Sequence, residues 1–190
     1  MYRYQRRRQS VSGRVAVELC STPPYRTPVS VTVDTRLIDA GDDEYVDRAW
    51  ELKERIRREE DVLKQRHGFF TDAYRRSTVY LLADPGYDED AIVGFAAVRR
   101  DGYILFLAVN PDYRGEGFGR RLVAAVVEDH GTVTCHARAT NDGALSFYEH
   151  LGFEVKRRVD DYYEDDGDAH YLRLGDGGIT EALARLMPGR

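Results

Sequence analysis

This sequence has little cysteine, little lysine and no long apolar run. Only Cys20 and Cys135 occur in 190 residues, so a disulfide framework is not expected. No Cys/His cluster has the spacing of structural zinc, and no metal is expected. No apolar run reaches the roughly 20 residues that cross a bilayer. The charged N-terminus has no hydrophobic segment behind it to act as an export signal. Together these absences predict a soluble, cytoplasmic protein without a membrane partner. Lysine stands only at Lys53, Lys64 and Lys156, so arginine carries nearly all the positive charge, while Asp outnumbers Glu and the net charge is -5. Two sources fit that bias: the acidic surfaces of high-salt cytoplasms, as in a halophilic archaeon, and a GC-rich genome.

What is present supports one packed domain with tails. The length suits a single core and is short for two, and 42% of the residues are hydrophobic. Residues 1–28 mix Arg, Gln, Ser and Pro without periodicity and predict a mobile tail. Its Arg3, Arg6, Arg7 and Arg8 read as solvated charge in preference to a nucleic-acid contact. Residues 29–38 alternate as a first strand. Asp42 or Asp43 is placed to cap a long charged helix over 44–65, which His67-Gly68-Phe69-Phe70 should end, with a short second helix through Tyr74. Strands are expected at 78–83 and 91–98, joined by an Asp84-Pro85-Gly86 turn, and at 103–109. Helices over 117–130 and 142–151 alternate with strands at 132–139, 153–160 and 169–174. This order predicts an α/β (α+β) domain over 29–174 with a mixed sheet, followed by a tail at 175–190 that contains a short amphipathic run.

The densest chemical signal lies where an apolar run, Leu105-Phe106-Leu107-Ala108-Val109, breaks at Pro111. It passes through Arg114-Gly115-Glu116-Gly117-Phe118-Gly119-Arg120 and re-emerges in helical spacing at Leu122, Val123, Val126 and Val127. Three glycines at alternate positions let successive backbone N–H groups converge on an anion. The following helix adds its unpaired N-terminal donors, and Arg114 and Arg120 add countercharge. A lone Gly-rich turn would carry little weight. Strand, loop, arginines and helix in this order build a pyrophosphate cradle. Neither a GK[ST] ending nor GxGxxG occurs, so the common nucleotide loops are not matched.

The pattern Arg114, Gly117, Gly119 resembles the RxxGxG signature of the GNAT acyl-CoA N-acyltransferases. The segment from Asn141 through Ala144 and Tyr148 to Gly152-Phe153 is similar to that family's N-x-x-A-x-x-x-Y-x-x-x-G-F stretch. The resemblance spans roughly 29–174 and implies a mixed, mostly antiparallel sheet of about six to seven strands flanked by about four helices. It implies acetyl-CoA as cofactor, with its pyrophosphate on Arg114, Gly115, Glu116, Gly117, Phe118, Gly119 and Arg120. It assigns the pantetheine arm to the backbone of Leu107 and Val109 and to Asn141, with Phe118 packed inward. It also implies a strand that parts from its neighbour to admit the cofactor.

For catalysis the resemblance places Tyr148 where many members hold the acid that protonates the CoA sulfur; the alternative for Tyr148 is a packed aromatic. Members that acetylate protein N-termini often carry Glu five positions ahead of the Asn, and here His136 stands there. An imidazole can accept the proton of the amine, and a strand histidine can equally be structural. Phe106 occupies the position at which other members offer a carboxylate. The run Tyr162-Tyr163-Glu164-Asp165-Asp166-Gly167-Asp168 resembles the acceptor loop of protein N-terminal acetyltransferases, including the ribosomal-protein-alanine type, with the Gly displaced by one position. Tyr162 and Tyr163, with Phe69 and Phe70, are therefore expected to bind a peptide end; an acidic surface hairpin is the plain alternative. A protein α-amine is the expected acceptor. A small polyamine, amino acid or aminoglycoside, and a non-catalytic CoA-binding module, are the competing functions, and a monomer or homodimer is expected.

Overall fold

The computed structural model of the chain describes residues 33–85 and 91–174. The tails expected at 1–28 and 175–190, with Cys20 and the arginine run, lie outside the described residues, as does Gly86 of the expected turn.

The strands are β1 Asp34–Ile38, β2 Thr78–Asp84, β3 Ala91–Val98, β4 Tyr103–Val109, β5 Thr134–Arg138, β6 Phe153–Val159 and β7 Ala169–Leu174. They form one sheet in the order β1-β2-β3-β4-β5-β7-β6. Every neighbouring pair is antiparallel except β4 with β5. The helices are α1 Val46–Glu60, α2 His67–Arg75, α3 Phe118–Asp129 and α4 Asp142–His150, and a 3-10 turn covers Pro111–Tyr113. A mixed, mostly antiparallel sheet of seven strands with four helices is the architecture expected above. Among the described residues no helix is long and apolar enough to cross a membrane.

Helices cover both faces of the sheet, which is why β2 and β3 are buried along nearly their whole length and read as continuous apolar runs. On one face Ala49, Leu52 and Ile56 of α1, spaced by one helical turn, and Phe70 and Tyr74 of α2 pack against Val79, Leu81, Phe95 and Ala97. On the other face Leu122, Val123, Val126 and Val127 of α3, with Tyr148 of α4, pack against Leu82, Val98 and Ile104. The cofactor-loop strand β4 changes faces between these cores. Ala97 pairs with Phe106 and Val98 with Ile104, so Leu105 is an extra residue, a β-bulge. Ile104 faces the α3 side, whereas Phe106 and Ala108 face α1 and α2.

Two local expectations are corrected. The first helix stops at Glu60, not near Gln65, because Asp61 turns left-handed (φ 55°) and donates its N–H to the Arg57 carbonyl. Neither Gly nor Pro marks that stop, and Val62 and Leu63 continue the helical periodicity in the sequence. His67 to Phe70 therefore open α2 where they were expected to end α1. The α1 N-cap is Tyr45 (φ 64°), with no side-chain cap; Asp42 instead accepts from the Glu44 N–H at 2.9 Å, one turn too early to cap the helix.

Gly102 turns β3 into β4 at φ +76°, and a Cβ there would lie 2.0 Å from the Thr132 carbonyl oxygen. Gly102→Ala should therefore cost about 1–3 kcal/mol, from left-handed strain and overlap together. Denaturant unfolding should show a lower midpoint; an unchanged midpoint would contradict this close approach.

Candidate active site

The site begins where β4 leaves β5. The two strands pair only at Tyr103 with Thr134 and Ile104 with Cys135, while β5 stays paired with β7 from Thr134 to Arg138. From Leu105 to Val109, β4 has no strand on its β5 side. A cavity of about 1170 Å³ fills the opening. Its walls include β4 from Tyr103 to Val109, the loop from Arg114 to Arg120, Ala137 of β5, and Ala144 and Phe147 of α4. The end of α1 and the α1–α2 loop, and Tyr162 to Asp165, close the other side.

At the loop end, Gly115 and Gly117 adopt φ +85° and +82°, which their missing side chains allow. Gly117 is the N-cap of α3 and offers no side chain to its first donors, which leaves them directed at the loop. A Cβ on Gly119 would sit 3.1 Å from the Phe147 ring, so glycine keeps the first turn of α3 against α4. Leu107, Val109, Arg114, Gly115, Gly117, Phe118, Gly119 and Arg120 all line the cavity, whereas Glu116 is exposed and off its wall. Phe118 is partly buried against the core, 6.4 Å from the Tyr113 ring. Arg114 bonds the Val109 carbonyl through Nε at 3.3 Å and pairs with Glu60 at the end of α1. Arg55 grips Asp112 with two bonds of 2.8 and 3.0 Å, tying α1 to the same loop. Donors converging at a helix start, positive-φ glycines and arginines are the donor set that a pyrophosphate requires, so these residues fit the phosphate end of CoA.

Asn141 is the N-cap of α4, accepting from the Ala144 N–H at 3.0 Å, and it lines the cavity. Tyr148 lies about two turns further along α4, buried and on the cavity wall, with its hydroxyl against the Cys135 thiol. Burial raises the Tyr148 pKa far above that of an ordinary phenol and pushes the Cys135 thiol up to about 12. Cys135 is a free cysteine.

At the opposite end three elements meet. The His136 Nδ1 of β5 lies 2.8 Å from the Tyr103 hydroxyl of β4. That hydroxyl is 3.0 Å from the hydroxyl of Tyr162 in the β6–β7 loop. Tyr162 stacks on the His136 ring, with centroids 4.2 Å apart and planes at 10°. Burial first, and the Arg157 charge second, lower the His136 pKa below 6.5, so the ring is neutral at pH 7. Burial and then the Tyr162 bond hold Tyr103 protonated. Phe69 is 54% exposed and lines the cavity.

Phe70 does not join this wall. It is fully buried, at 5.0 Å from the Phe106 ring and 5.4 Å from that of Trp50, because both phenylalanines lie in α2, where consecutive side chains point about 100° apart. The substrate-contact role expected for Phe70 is corrected to core packing behind the site. Three residues escaped the motif reading. Tyr103 and Glu60 showed no signal in the sequence, since each reaches the site only through pairing across elements. Arg138 stands three positions before Asn141, where a register count along β5 from His136 would have placed it on the same side of the sheet.

Residues 76–155 match the model of the acetyltransferase (GNAT) domain. N-alpha-acetyltransferase 30 of Saccharomyces cerevisiae is 37% identical over 82 residues, which is 40% of this chain and 47% of that protein. N-alpha-acetyltransferase RimI of Mycobacterium tuberculosis is 33% identical over 99 residues, 45% of this chain and 61% of that protein. The chain thus spans less than two thirds of either relative's length. The fold is shared with the ribosomal-protein-S18-alanine N-acetyltransferase of Escherichia coli, at TM-score 0.59 and 22% identity over 74% of this chain and 93% of that one.

If the loop is the phosphate cradle, Gly117→Val should weaken CoA binding by at least about tenfold, through a strained left-handed valine and a blocked approach. Isothermal calorimetry with CoA reads this directly. Wild-type affinity in a folded Gly117→Val protein would remove the cradle assignment.

Proposed function

We propose that this chain is a GNAT acetyltransferase, which transfers an acetyl group from acetyl-CoA to the α-amine at a protein or peptide N-terminus. The observation that carries the reading is that one cavity joins the glycine loop to the Tyr103, His136 and Tyr162 cluster. The N-alpha-acetyltransferase names of the relatives support it. The catalytic unit is taken as 29–174, working in the cytoplasm.

Bound acetyl-CoA supplies an acetyl group activated as a thioester. The loop from Arg114 to Arg120 would hold its phosphates, Asn141 and the open edge of Leu107 and Val109 its pantetheine. An amine attacks only when neutral, so a base must take its proton. His136 fits that role in one tautomer: Nδ1–H donates to the Tyr103 oxygen, Tyr103 donates on to Tyr162, and Nε2 keeps a free lone pair. The opposite tautomer would leave Nε2 protonated and unable to act. Tyr148, kept protonated by burial, serves as the acid that gives its proton to the departing sulfur. Phe69, Tyr162 and Tyr163 border the acceptor end, where aromatic faces exclude water from the amine.

The acceptor is tested with two peptides. One carrying a free α-amine should be acetylated, and its N-terminally blocked, lysine-containing counterpart should not. Preferential labelling of the blocked peptide would overturn the N-terminal reading, and turnover of a polyamine alone would transfer the protein to the small-amine class.

The pH profile tests the base. A lowered His136 pKa means that the neutral, accepting form persists to lower pH, so the acid limb of kcat/KM should fall below pH 6.5. Arg157→Gln removes the smaller cause and should move that limb upward, toward the ordinary histidine value. A limb at or above 6.5 in the wild type, unmoved in Arg157→Gln, would withdraw His136 as the base.

A further inference from the structure

Arg138 makes three separate contacts with the β6–β7 loop. Its guanidinium stacks over the Tyr163 ring at 4.2 Å. Nη2 donates to the Asp165 carboxylate at 2.8 Å. At Gly167 an added Cβ would lie 2.0 Å from Nη1, closer than any real contact allows. Gly167 is absent from the positive-φ glycines, so it is present for space and not for backbone freedom. The Arg138 side chain is only 18% exposed, and Asp165 reaches on to Lys64 of the α1–α2 loop at 3.5 Å.

The geometry points to Arg138 as the positioning residue for acceptor selection. A planar fork that stacks on one residue while bonding another two positions on is specific to arginine; an ammonium offers neither the plane nor the fixed donors. By fixing Tyr163 and Asp165, Arg138 sets where the adjacent Tyr162 stands. Tyr162 in turn reaches Tyr103 and covers the His136 ring. Arg138 lines the cavity beside His136 and Tyr148, and its side-chain bond and ring contact are with Asp165 and Tyr163 of the loop. The assignment rests on the N-terminal acetyltransferase reading above.

Gly167→Ala makes a clean probe, because the obstructing atom is the far end of a flexible side chain and the new methyl displaces the guanidinium rather than backbone. Steady-state kinetics with an N-terminal peptide, on wild type, Arg138→Met, Arg138→Lys, Gly167→Ala and the Arg138→Met/Gly167→Ala double variant, test the role. Arg138→Met and Gly167→Ala should each raise the peptide KM about tenfold, with kcat and calorimetric CoA affinity within about twofold. Arg138→Lys should restore less than half of the loss. The double variant should be no worse than Arg138→Met alone, since the methyl then has no guanidinium to displace. Should Arg138→Met fail to fold, Gly167→Ala carries the test by itself. Independent, multiplying effects in the double variant would overturn the assignment, as would an unmoved peptide KM in both single variants of an enzyme whose wild type turns the peptide over. A wild type that acetylates no N-terminal peptide would overturn the acceptor reading, and this one with it.

Discussion

The structure depends on the early separation of β4 from β5. A strand in the middle of a sheet has donors and acceptors on both edges, and buried backbone groups must find partners. After Ile104 and Cys135 the ladder ends, so one edge of β4 is left to water or to a polar ligand. The separation is stable because each strand is held elsewhere: β4 by β3 along its length, and β5 by β7 through five pairs. The Leu105 bulge adds the local twist and sends Phe106 and Ala108 into the α1 and α2 core. What is left open is lined by apolar side chains with a polar group at each end, a shape that suits a long ligand with an anionic head and a reactive tail.

The C-terminal half of α1 ties the two ends of that opening together. Arg55 and Glu60 hold the loop beside β4 through Asp112 and Arg114. Lys53, with no exposed side-chain surface, donates to the Gln65 carbonyl at 2.5 Å and to Glu54 at 2.9 Å, and lies 4.4 Å from the Trp50 ring centre. Burial lowers its pKa, and the Glu54 carboxylate opposes that shift. A buried ammonium is retained only where its hydrogen bonds are satisfied. Here it fixes a segment that already contains two left-handed residues, Asp61 and Leu63. The same few turns of helix therefore shape both the glycine-loop end of the cavity and the wall beside the β6–β7 loop.

Electrostatics divide the chemistry by burial. Tyr103 and Tyr148 have raised pKa values and His136 a lowered one, so all three cavity-lining groups favour their uncharged forms. Desolvation is the first cause in all three cases, since it penalises whichever form is charged. Burial thus keeps both phenols and the imidazole uncharged in one cavity, the forms that the proposed reaction requires of its acid and base.

The pattern along the chain determined the fold and the cofactor end. Period-2 and period-3.6 spacing of apolar residues placed all seven strands and four helices, and the run from Leu105 to Arg120 carried strand, loop and helix in consecutive residues. Contiguous chemistry is legible because local backbone geometry alone brings it together. Helix ends were misread at Glu60, where a left-handed Asp replaces the usual glycine and leaves no compositional mark. The acceptor end was legible only in part. His136 and Tyr162 stood in recognisable motifs, but Tyr103 lies 33 residues from one and 59 from the other. Only the parallel pairing of β4 with β5 and the return of β7 bring their rings into contact. The same holds for Phe69 and Phe70, adjacent in sequence, one on the cavity wall and one in the core, because the rotation of α2 against the sheet, and not the identity of the residue, decides which face meets the ligand.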